Sequence, residues 1–343
     1  MTRANRKEFL PRADRKESWA DAAKFRRFCP FVILAMLIFL SEAAPIPAFN
    51  QKPSIRLVPE LTIGTEVGDK NLMFGAIFRV DADAEGNIYV LDTKNRQLRI
   101  FNKEGEFLRS IDIPPGQGPQ ETNQIAGIAV TPSGRVFING DRKMVVYDSR
   151  GNYLRTFPVS FHVSCIGSPG TEEIVGIGPH EGKILHVFNS DGQMLSSFGR
   201  IFDVPKEFEP MKIMPMFGAP ILFSCSKGGR IFVLNPHRYE ILIFKNRRLE
   251  TTLKGNSGIF EPVTQRGRAF TSTAAAIFPA GKYVLVYFAS YKNQARIADI
   301  FLNGKQVGSL ELPGELMAVD YDGKLYLASQ EEYPKVIRCS MVE

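Results

Sequence analysis

Short runs of alternating apolar and polar residues recur along most of this chain, separated by turns that contain glycine. In residues 86–90, Ile88 and Val90 alternate with Asn87 and Tyr89, which is the period of two that is typical of a β-strand. Similar runs begin five further units, at 134–138, 172–176, 229–233, 281–286 and 323–327. A period of roughly 40 to 55 residues with several strands per unit predicts a β-propeller.

Each of the first five units continues with two runs around a second tight turn, and an aromatic residue marks the same place each time. These aromatic residues are Phe101, Tyr147, Phe188, Phe244 and Phe301. Their separations of 46, 41, 56 and 57 residues are uneven, which places the insertions in loops between units. Turn glycines such as Gly105, Gly151 and Gly192 are predicted to adopt a positive φ, which glycine tolerates.

The predicted fold is all-β: a six-bladed β-propeller of four-stranded antiparallel blades, closed by an N-terminal strand that completes the last blade. A single blade cannot bury both of its apolar faces, so the repeat must close into a ring. The last unit ends at 334–343, one strand short, and a separate β run at 54–63 precedes the first unit. Pairing these two runs would remove two exposed sheet edges.

The stretch 86–111 (GNIYVLDTKNRQLRIFNKEGEFLRSI) resembles an NHL-type repeat, and residues 54–343 resemble the bacterial exported six-bladed propeller proteins of that wider group. The resemblance implies that Asp92 and Asn95 brace the turn between the second and third strands. Gln97 stands where an arginine often follows, with Arg96 beside it. The segment 116–121 (GQGPQE) is similar to a Gly-Gly-Pro-Glu loop of the same group. Because propellers host binding modules, lyases and hydrolases alike, the resemblance implies no particular activity.

The first residues of the chain differ from the repeats. Residues 1–27 are polar and contain nine Lys or Arg, and the 13 residues 28–40 are apolar without interruption. This apolar run fits the core of a secretory signal and is shorter than the roughly 18 residues that a spanning helix needs. We therefore predict that residues 1–48 are a signal peptide or an N-terminal membrane anchor, and that 49–343 form a secreted or periplasmic propeller.

The net charge of +7 arises mainly in this leader. Without residues 1–48 the chain has 34 basic and 31 acidic residues, so it lacks the basic surface expected of a nucleic-acid-binding protein. Three cysteines remain, of which Cys165 and Cys225 occupy matching places in adjacent units. They are either small buried apolar residues or, in an oxidising compartment, a disulfide pair.

The longest connections are predicted to gather on one face, because the loops after the second and fourth strands of each blade emerge on the same side. They lie at 64–75, 114–124, 200–220 and 255–270. Long loops on a rigid scaffold are preferred places for binding. Within them, residues 211–217 are either an adaptable apolar contact or a flap folded over the propeller end. The candidate binding residues are Asp92, Asn95, Arg96, Glu121, Asp141, Arg142, His162, His180, His237 and Arg238.

Three histidines, His162, His180 and His237, fall on this loop side, whereas His186 lies inside a strand. Three imidazoles around a central channel could hold zinc, but their spacings of 18 and 57 residues match no compact ligand motif. The chain also lacks a G-x-S-x-G nucleophile motif, and GQGPQ lacks the lysine and the helix of a phosphate-binding loop. We therefore expect no metal and no cofactor.

The sequence favours a non-enzymatic recognition scaffold that binds a protein, peptide or glycan on its loop-rich face. The alternative is a metal-assisted hydrolase or lyase that uses the same face. We expect a monomer that contacts membranes only through its N-terminal segment and binds no nucleic acid.

Overall fold

The computed structural model describes residues 55–214, 217, 222–266, 269–289 and 296–343. These residues form six four-stranded antiparallel sheets, which are the blades of a six-bladed β-propeller. The innermost strands of neighbouring blades contact one another in chain order, and the last contacts the first. The predicted leader lies outside the described residues. No helix in these ranges is long and apolar enough to cross a membrane.

Blades 1 to 3 follow one another along the chain, each running from the innermost to the outermost strand. Blade 1 contains β2 (Ile77–Ala82), β3 (Ile88–Asp92), β4 (Gln97–Phe101) and β5 (Phe107–Asp112). Blade 2 contains β6 (Gly127–Val130), β7 (Val136–Gly140), β8 (Lys143–Tyr147) and β9 (Tyr153–Pro158). Blade 3 contains β10 (Cys165–Gly167), β11 (Ile174–His180), β12 (Lys183–Phe188) and β13 (Met194–Arg200).

Blades 4 to 6 continue this order, except that the outermost strand of blade 6 comes from the start of the described chain. Blade 4 contains β14 (Phe223–Cys225), β15 (Arg230–Leu234), β16 (Glu240–Lys245) and β17 (Arg248–Lys254). Blade 5 contains β20 (Ala274–Ala280), β21 (Tyr283–Ala289), β22 (Arg296–Leu302) and β23 (Lys305–Glu311). Blade 6 contains β24 (Glu315–Val319), β25 (Leu325–Ser329), β26 (Lys335–Val342) and β1 (Arg56–Ile63).

The predicted closure of the ring is confirmed. Strand β1 pairs antiparallel with β26, with Arg56 opposite Val342 and Ile63 opposite Val336. Ile63 is 2% exposed and packs in the cluster between blades 6 and 1. The two ends of the propeller are therefore held in one sheet, and β1 contributes both backbone hydrogen bonds and buried apolar surface.

Among the described residues, six buried apolar clusters lie between neighbouring blades, one at each interface, and a small seventh contains Phe208, Phe217 and Val263. The repeated aromatic residue of each of the first five blades lies in the cluster shared with the preceding blade. These residues are Phe101, Tyr147, Phe188, Phe244 and Phe301, and each is at most 5% exposed. The sequence repeat is thus a repeat of inter-blade packing, as predicted.

Many of the tight turns are stabilised by a side-chain oxygen that accepts a backbone hydrogen bond. In seven of them an Asp, Asn, Ser or Thr stands three residues before a glycine of positive φ, and its side chain accepts a hydrogen bond from the backbone N–H four residues ahead. The acceptors are Asp83, Asn102, Thr131, Asp148, Asn189, Ser226 and Asp320. The acceptor satisfies an N–H group that the turn would otherwise leave unpaired.

The acceptor also correlates with a residue in the following strand. In the turns between the first and second strands, where the acceptor is Asp83 or Asp320, the residue six positions later is a Tyr whose hydroxyl donates to that carboxylate; Tyr89 donates to Asp83 and Tyr326 to Asp320, both at 3.0 Å. Where the acceptor is Thr131 or Ser226, the equivalent residue is a phenylalanine. A buried hydroxyl therefore occurs where an acceptor is available for it.

Three features differ from the sequence predictions or resolve them. The segment expected as an irregular loop at 255–270 contains a small hairpin, β18 (Thr264–Arg266) paired with β19 (Ala269–Thr271). Short 3-10 helices occupy Lys70–Leu72 and Lys206–Met211. Cys165 and Cys225 lie on the innermost strands of blades 3 and 4 as free thiols, so the alternative of a disulfide is wrong.

Deleting residues 49–63 should destabilise the propeller far more than deleting residues 1–48. Deleting residues 49–63 removes β1, exposes the edge of β26 and opens the apolar cluster around Ile63. We expect the melting temperature to fall by on the order of 10 °C relative to the deletion of residues 1–48, which serves as the control. A difference of only a degree or two would contradict the role of β1 in closing the ring.

Alanine substitutions at Gly151 and Gly192 should both destabilise, and Gly192→Ala should cost more. The φ angle is +86° at Gly151 and +85° at Gly192, a region in which a Cβ costs about 1 kcal/mol. A Cβ at Gly192 would lie 2.4 Å from Phe157 of the preceding blade, whereas at Gly151 it would lie 3.3 Å from Ile111. Urea unfolding of the two variants gives the comparison, and equal losses would show that the contact with Phe157 relaxes without cost.

Candidate binding site on the loop face

The direction of the strands divides the connections between two faces. The face that we call the loop face receives the connections 64–76, 113–126, 159–164, 201–222, 255–273 and 312–314, which join successive blades. The turns after the second strands of the blades lie on this face as well, whereas the opposite face, the turn face, receives the tight turns of two to six residues after the first and third strands. The predicted segregation of long and short connections is confirmed, and every candidate binding residue lies on the loop-face side.

Asp92 and Asn95 lie at the end of β3 and in the turn that follows it. Asp92 is buried, and its carboxylate accepts hydrogen bonds from the backbone N–H groups of Gly75 and Ala76 at 2.7 and 3.0 Å. It also accepts from the backbone and the side-chain amide of Asn95 at 3.1 and 2.8 Å. This is the bracing arrangement that the resemblance implies, so the acceptor capacity of Asp92 is already used within the protein.

Arg96 and Glu121 hold the connection 113–126 against blade 1. The guanidinium of Arg96 donates to the carbonyl of Ile113 at 2.8 Å and to that of Thr122. Glu121 accepts from the backbone N–H of Gly118 at 2.8 Å. These two candidates therefore shape a loop, and a direct contact with a ligand stays a prediction.

Asp141 has the equivalent bracing role in blade 2. Burial raises the pKa of its carboxyl, but hydrogen bonds from the backbone of Asn123, the hydroxyl of Thr122 and the backbone of Gln124 outweigh this and hold the pKa below its usual value. Asp141 is thus an ionised carboxylate whose charge is directed at the loop 113–126.

Arg142 and His162 lie beside Asp141 around a small recess between blades 2 and 3, which we call the blade 2–3 recess. It has a volume of about 90 Å³ and is also lined by Asn139 and Lys143. Arg142 is exposed, and its guanidinium donates to the carbonyl of Ser160. His162 is exposed at the same recess. The structure therefore brings three of the predicted residues together.

His180 lies in a separate ring cluster in blade 3. Its imidazole stacks on Phe161 with ring centroids 4.3 Å apart, and the ring of His186 is 5.7 Å from that of His180. His186 is fully buried, bonded to the Ser197 hydroxyl at 2.8 Å and to the Gly178 carbonyl at 2.9 Å. Burial lowers the pKa of His186, so this histidine is a neutral packing residue.

His237 lies under the connection 201–222. Its ring centroid is 6.0 Å from that of Phe208 and 6.5 Å from that of Phe217, and burial lowers its pKa. Phe208 and Phe217 are buried and pack with Val263, whereas Ile213 and Met214 between them are 68% and 50% exposed. The burial of Phe217 favours the flap, whereas an apolar contact with a ligand through Ile213 and Met214 stays a prediction. Arg238, next to His237, is exposed.

The histidines do not converge on a metal site. Within the described ranges no group of three or more His, Cys, Asp or Glu side chains is placed to hold a metal ion. His237 packs in the aromatic cluster of the 201–222 connection, while His180 stacks on Phe161.

The central channel is crossed at the turn face by an ion pair that the sequence analysis missed. The ammonium of Lys227 lies 3.0 Å from the carboxylate of Asp81, and the two side chains are 12% and 15% exposed. Asp81 also accepts from the backbone N–H of Val130 at 2.8 Å. Asp81 belongs to blade 1 and Lys227 follows the innermost strand of blade 4, so the pair joins opposite sides of the ring across its axis.

A cavity of about 190 Å³ extends along the channel from this pair toward the loop face. Its wall contains both polar and apolar residues, with Leu222, Phe223 and Met317 among the apolar ones. Glu315 begins β24 and Tyr287 lies near the end of β21, so both lie toward the loop face. Burial, and next the carboxylate of Glu315, raise the pKa of Tyr287 to about 12.

Arg79, on β2, is the cation of this loop-face end of the channel. One of its N–H groups donates to the carbonyl of Phe78 at 3.0 Å, and the guanidinium carbon lies 4.4 Å from the Phe78 ring centroid. Among the described residues, Arg79 and Glu315 have no ion-pair partner. Besides the pair of Asp81 and Lys227, the channel therefore offers the cation of Arg79, the anion of Glu315 and the phenol hydroxyl of Tyr287.

Two missed residues could have been found by aligning the units on their turns. Asp81 stands where the equivalent residues of blades 2 and 6 are Ala129 and Ala318, and Asn139 stands where blades 1 and 4 have Leu91 and Leu234. A charged or amide side chain at a position that is apolar in several of the sibling units is the signal in both cases.

One family model, DUF5128, described as a 6-bladed beta-propeller, matches residues 67–173 of this chain. The matched part covers blades 1 and 2 and ends before β11 of blade 3. No curated protein sequence matches the chain.

The fold is also similar to solved structures. One is a protein from Bacteroides fragilis NCTC 9343 named as a candidate exported protein, with 12% identity and a TM-score of 0.59, covering 86% of this chain and 98% of that one. Another is a DUF4221 family member from Bacteroides vulgatus ATCC 8482, with 10% identity and a TM-score of 0.55, covering 85% and 100%. Identities this low support the fold alone, and the NHL-type assignment stays a prediction.

Lys227→Met should destabilise the protein by about 2 to 3 kcal/mol, because it leaves the carboxylate of Asp81 buried without its cation. Combining it with Asp81→Asn should restore part of this stability, since the amide oxygen still accepts from Val130 and no unpaired charge is buried. A double-mutant cycle by urea unfolding measures the coupling. Additive effects would contradict a direct ion pair across the axis.

Proposed function

We propose that this protein is an exported recognition propeller that binds a protein, peptide or glycan on its loop face and has no catalytic chemistry of its own. The observation that carries this proposal is the ion pair between Asp81 and Lys227. Because it crosses the axis at the turn face, the space of the channel extends toward the loop face. The unpartnered charges of Arg79 and Glu315 lie at that end.

The character of the loop face supports recognition of a polymeric ligand. Its exposed apolar residues Ile213 and Met214 project from one connection, and Val67 and Met73 from another. These connections lie between blades 3 and 4 and between blades 6 and 1, on opposite sides of the ring. Flexible apolar side chains on both sides of a polar channel suit a ligand that extends across the face.

Export is supported by the sequence and by one structural relative. The apolar run 28–40 after a basic segment has the pattern of a secretory signal. The similar protein from Bacteroides fragilis is named as a candidate exported protein. We infer that the propeller works outside the cytoplasm, where its loop face meets extracellular or periplasmic ligands.

The test is a binding screen of the purified protein on a glycan array and a peptide library, followed by calorimetry of the hits. Arg79→Ala should weaken the binding of an anionic hit, and Glu315→Gln that of a cationic hit, by about tenfold or more, because each removes the opposite charge at the loop-face end of the channel. The matched control is Lys103→Ala on the turn face, where the lysine side chain is 67% exposed.

Two results would overturn this proposal. One is a hit whose affinity falls with a turn-face variant and not with the loop-face variants. The other is stoichiometric zinc or calcium in the purified protein together with hydrolase or lyase activity that chelation abolishes.

A further inference from the structure

We propose that the loop-face end of the channel binds a zwitterionic α-amino acid group, whose carboxylate is held by Arg79 and whose ammonium is held by Glu315 and the hydroxyl of Tyr287. This inference rests on the proposed function, because it names the chemistry of the ligand group that enters the channel from the loop face. It follows from the position of the two charges in the ring, from the unpartnered hydroxyl, and from the size of the cavity.

Arg79 and Glu315 occupy equivalent places on the innermost strands of two neighbouring blades. Arg79 lies opposite Leu91 in blade 1, and Glu315 lies opposite Ala328 in blade 6. Leu91 and Ala328 each follow by two residues the tyrosine that bonds to the turn aspartate of their blade. Strands β2 and β24 also contact one another. The two charged side chains therefore line one level of the channel, and both belong to the wall of its cavity.

Both charges can be reached by a ligand and neither is neutralised within the protein. Glu315 is exposed and Arg79 is partly exposed. They form no ion pair with each other, and neither has another ion-pair partner among the described residues. One guanidinium N–H of Arg79 donates to the carbonyl of Phe78, and its other donors have no partner in the described part of the chain. A cation and an anion at one level favour a ligand that carries both charges.

Tyr287 adds a hydroxyl that the fold does not use. The residue is 3% exposed and belongs to the wall of the cavity. Its hydroxyl has no hydrogen-bond partner among the described residues, and it is not sealed from solvent as the hydroxyls of Tyr147 and Tyr321 are. Burial, and next the nearby carboxylate of Glu315, raise the pKa of Tyr287 to about 12, so the hydroxyl stays protonated. The hydroxyl and the carboxylate offer acceptors to two N–H groups of one ammonium.

Small residues leave space beside the two charges. The places of Arg79 and Glu315 correspond to Gly127 in blade 2, Cys165 in blade 3 and Ala276 in blade 5. The cavity of about 190 Å³ is the space of roughly six water molecules. This space accepts an amino acid group with a short side chain and excludes a chain of several sugar rings.

The adjacent charges select an α-amino acid group over a peptide end or an acidic sugar. In an α-amino acid the ammonium and the carboxylate are attached to one carbon, so both reach side chains of neighbouring blades through hydrogen bonds of about 2.8 Å. A ligand with only a carboxylate would lie beside Glu315, and one with only an ammonium would lie beside Arg79. Either would meet a like charge and leave one residue unpaired.

The experiment measures the binding of free L-amino acids to the purified protein by calorimetry, and repeats each measurement with the N-acetyl derivative and with the amide. We expect an amino acid that binds to lose about tenfold or more in affinity in either derivative, because each derivative lacks one of the two charges. This comparison needs no protein variant. Equal affinity for the three forms would overturn the inference.

A second probe separates the two sources of such a group, a free amino acid and a branched peptide. It is a short peptide that ends in a lysine joined through its ε-nitrogen, which leaves the α-ammonium and α-carboxylate of that lysine free. The control is the isomer joined through the α-nitrogen, which has the same net charge. Tighter binding of the first isomer than of free lysine assigns the site to a branched peptide, and otherwise the free amino acid is the ligand. Binding of both isomers with equal affinity, or of none of the amino acids and peptides, would contradict the proposal.

Three substitutions in the channel should weaken the same ligand: Arg79→Ala and Glu315→Gln by about tenfold or more, and Tyr287→Phe by about fivefold. The matched controls are Arg150→Ala and Glu104→Gln, which alter exposed residues of the turn face and should leave affinity unchanged. An amino acid whose affinity falls in only one of the two charge variants would refute the inference. Peptide or glycan hits that depend on Arg79 alone or on Glu315 alone would refute it as well, while leaving the proposed function intact.

Discussion

The structure depends on one constraint, which is that a blade has two apolar faces and can bury them only between two neighbouring blades. A buried apolar cluster lies between every two neighbouring blades, so each sheet is stabilised by its neighbours. A ring satisfies this requirement only if its last interface is as complete as the others. Strand β1 provides that completeness, since Ile63 and the hydrogen bonds to β26 join the start of the described chain to its end.

Local turn chemistry makes the repeat tolerant of sequence change. The turn needs an oxygen acceptor at its first position and a glycine three residues later, and Asp83, Thr131 and Ser226 all meet the first requirement. The choice of acceptor also affects the core, because an Asp has a second carboxylate oxygen that can accept a hydrogen bond from a buried Tyr. Tyr89 with Asp83, against Phe137 with Thr131, shows that blades vary in coordinated pairs of residues.

The fold could be predicted because its signals are periodic, whereas the site could be predicted only in part because its contacts are not. Glycine and aromatic positions recur in most of the blades, so the blade boundaries and the closing strand follow from the sequence. Asp141, Arg142 and His162 were predicted separately, but their meeting at one recess depends on two connections whose paths no repeat determines. The pair of Asp81 and Lys227 is 146 residues apart in sequence, and only closure of the ring brings it together.

Residues that differ between equivalent positions of the blades are therefore the best indication of function in this protein. A position that is apolar in several sibling blades needs no polar residue for packing, so a polar residue there indicates a contact specific to its own blade. Asp81 is one case, because Lys227 and Val130 satisfy its carboxylate. Asn139 is another, because its Nδ2 donates to the carbonyl of Val163 and holds the connection 159–164 against blade 2. The same comparison separates Arg96, which donates to two carbonyls of its own loop, from Arg142, which donates to one and is exposed on the loop face, so the blades share a scaffold and differ in the side chains that they present there.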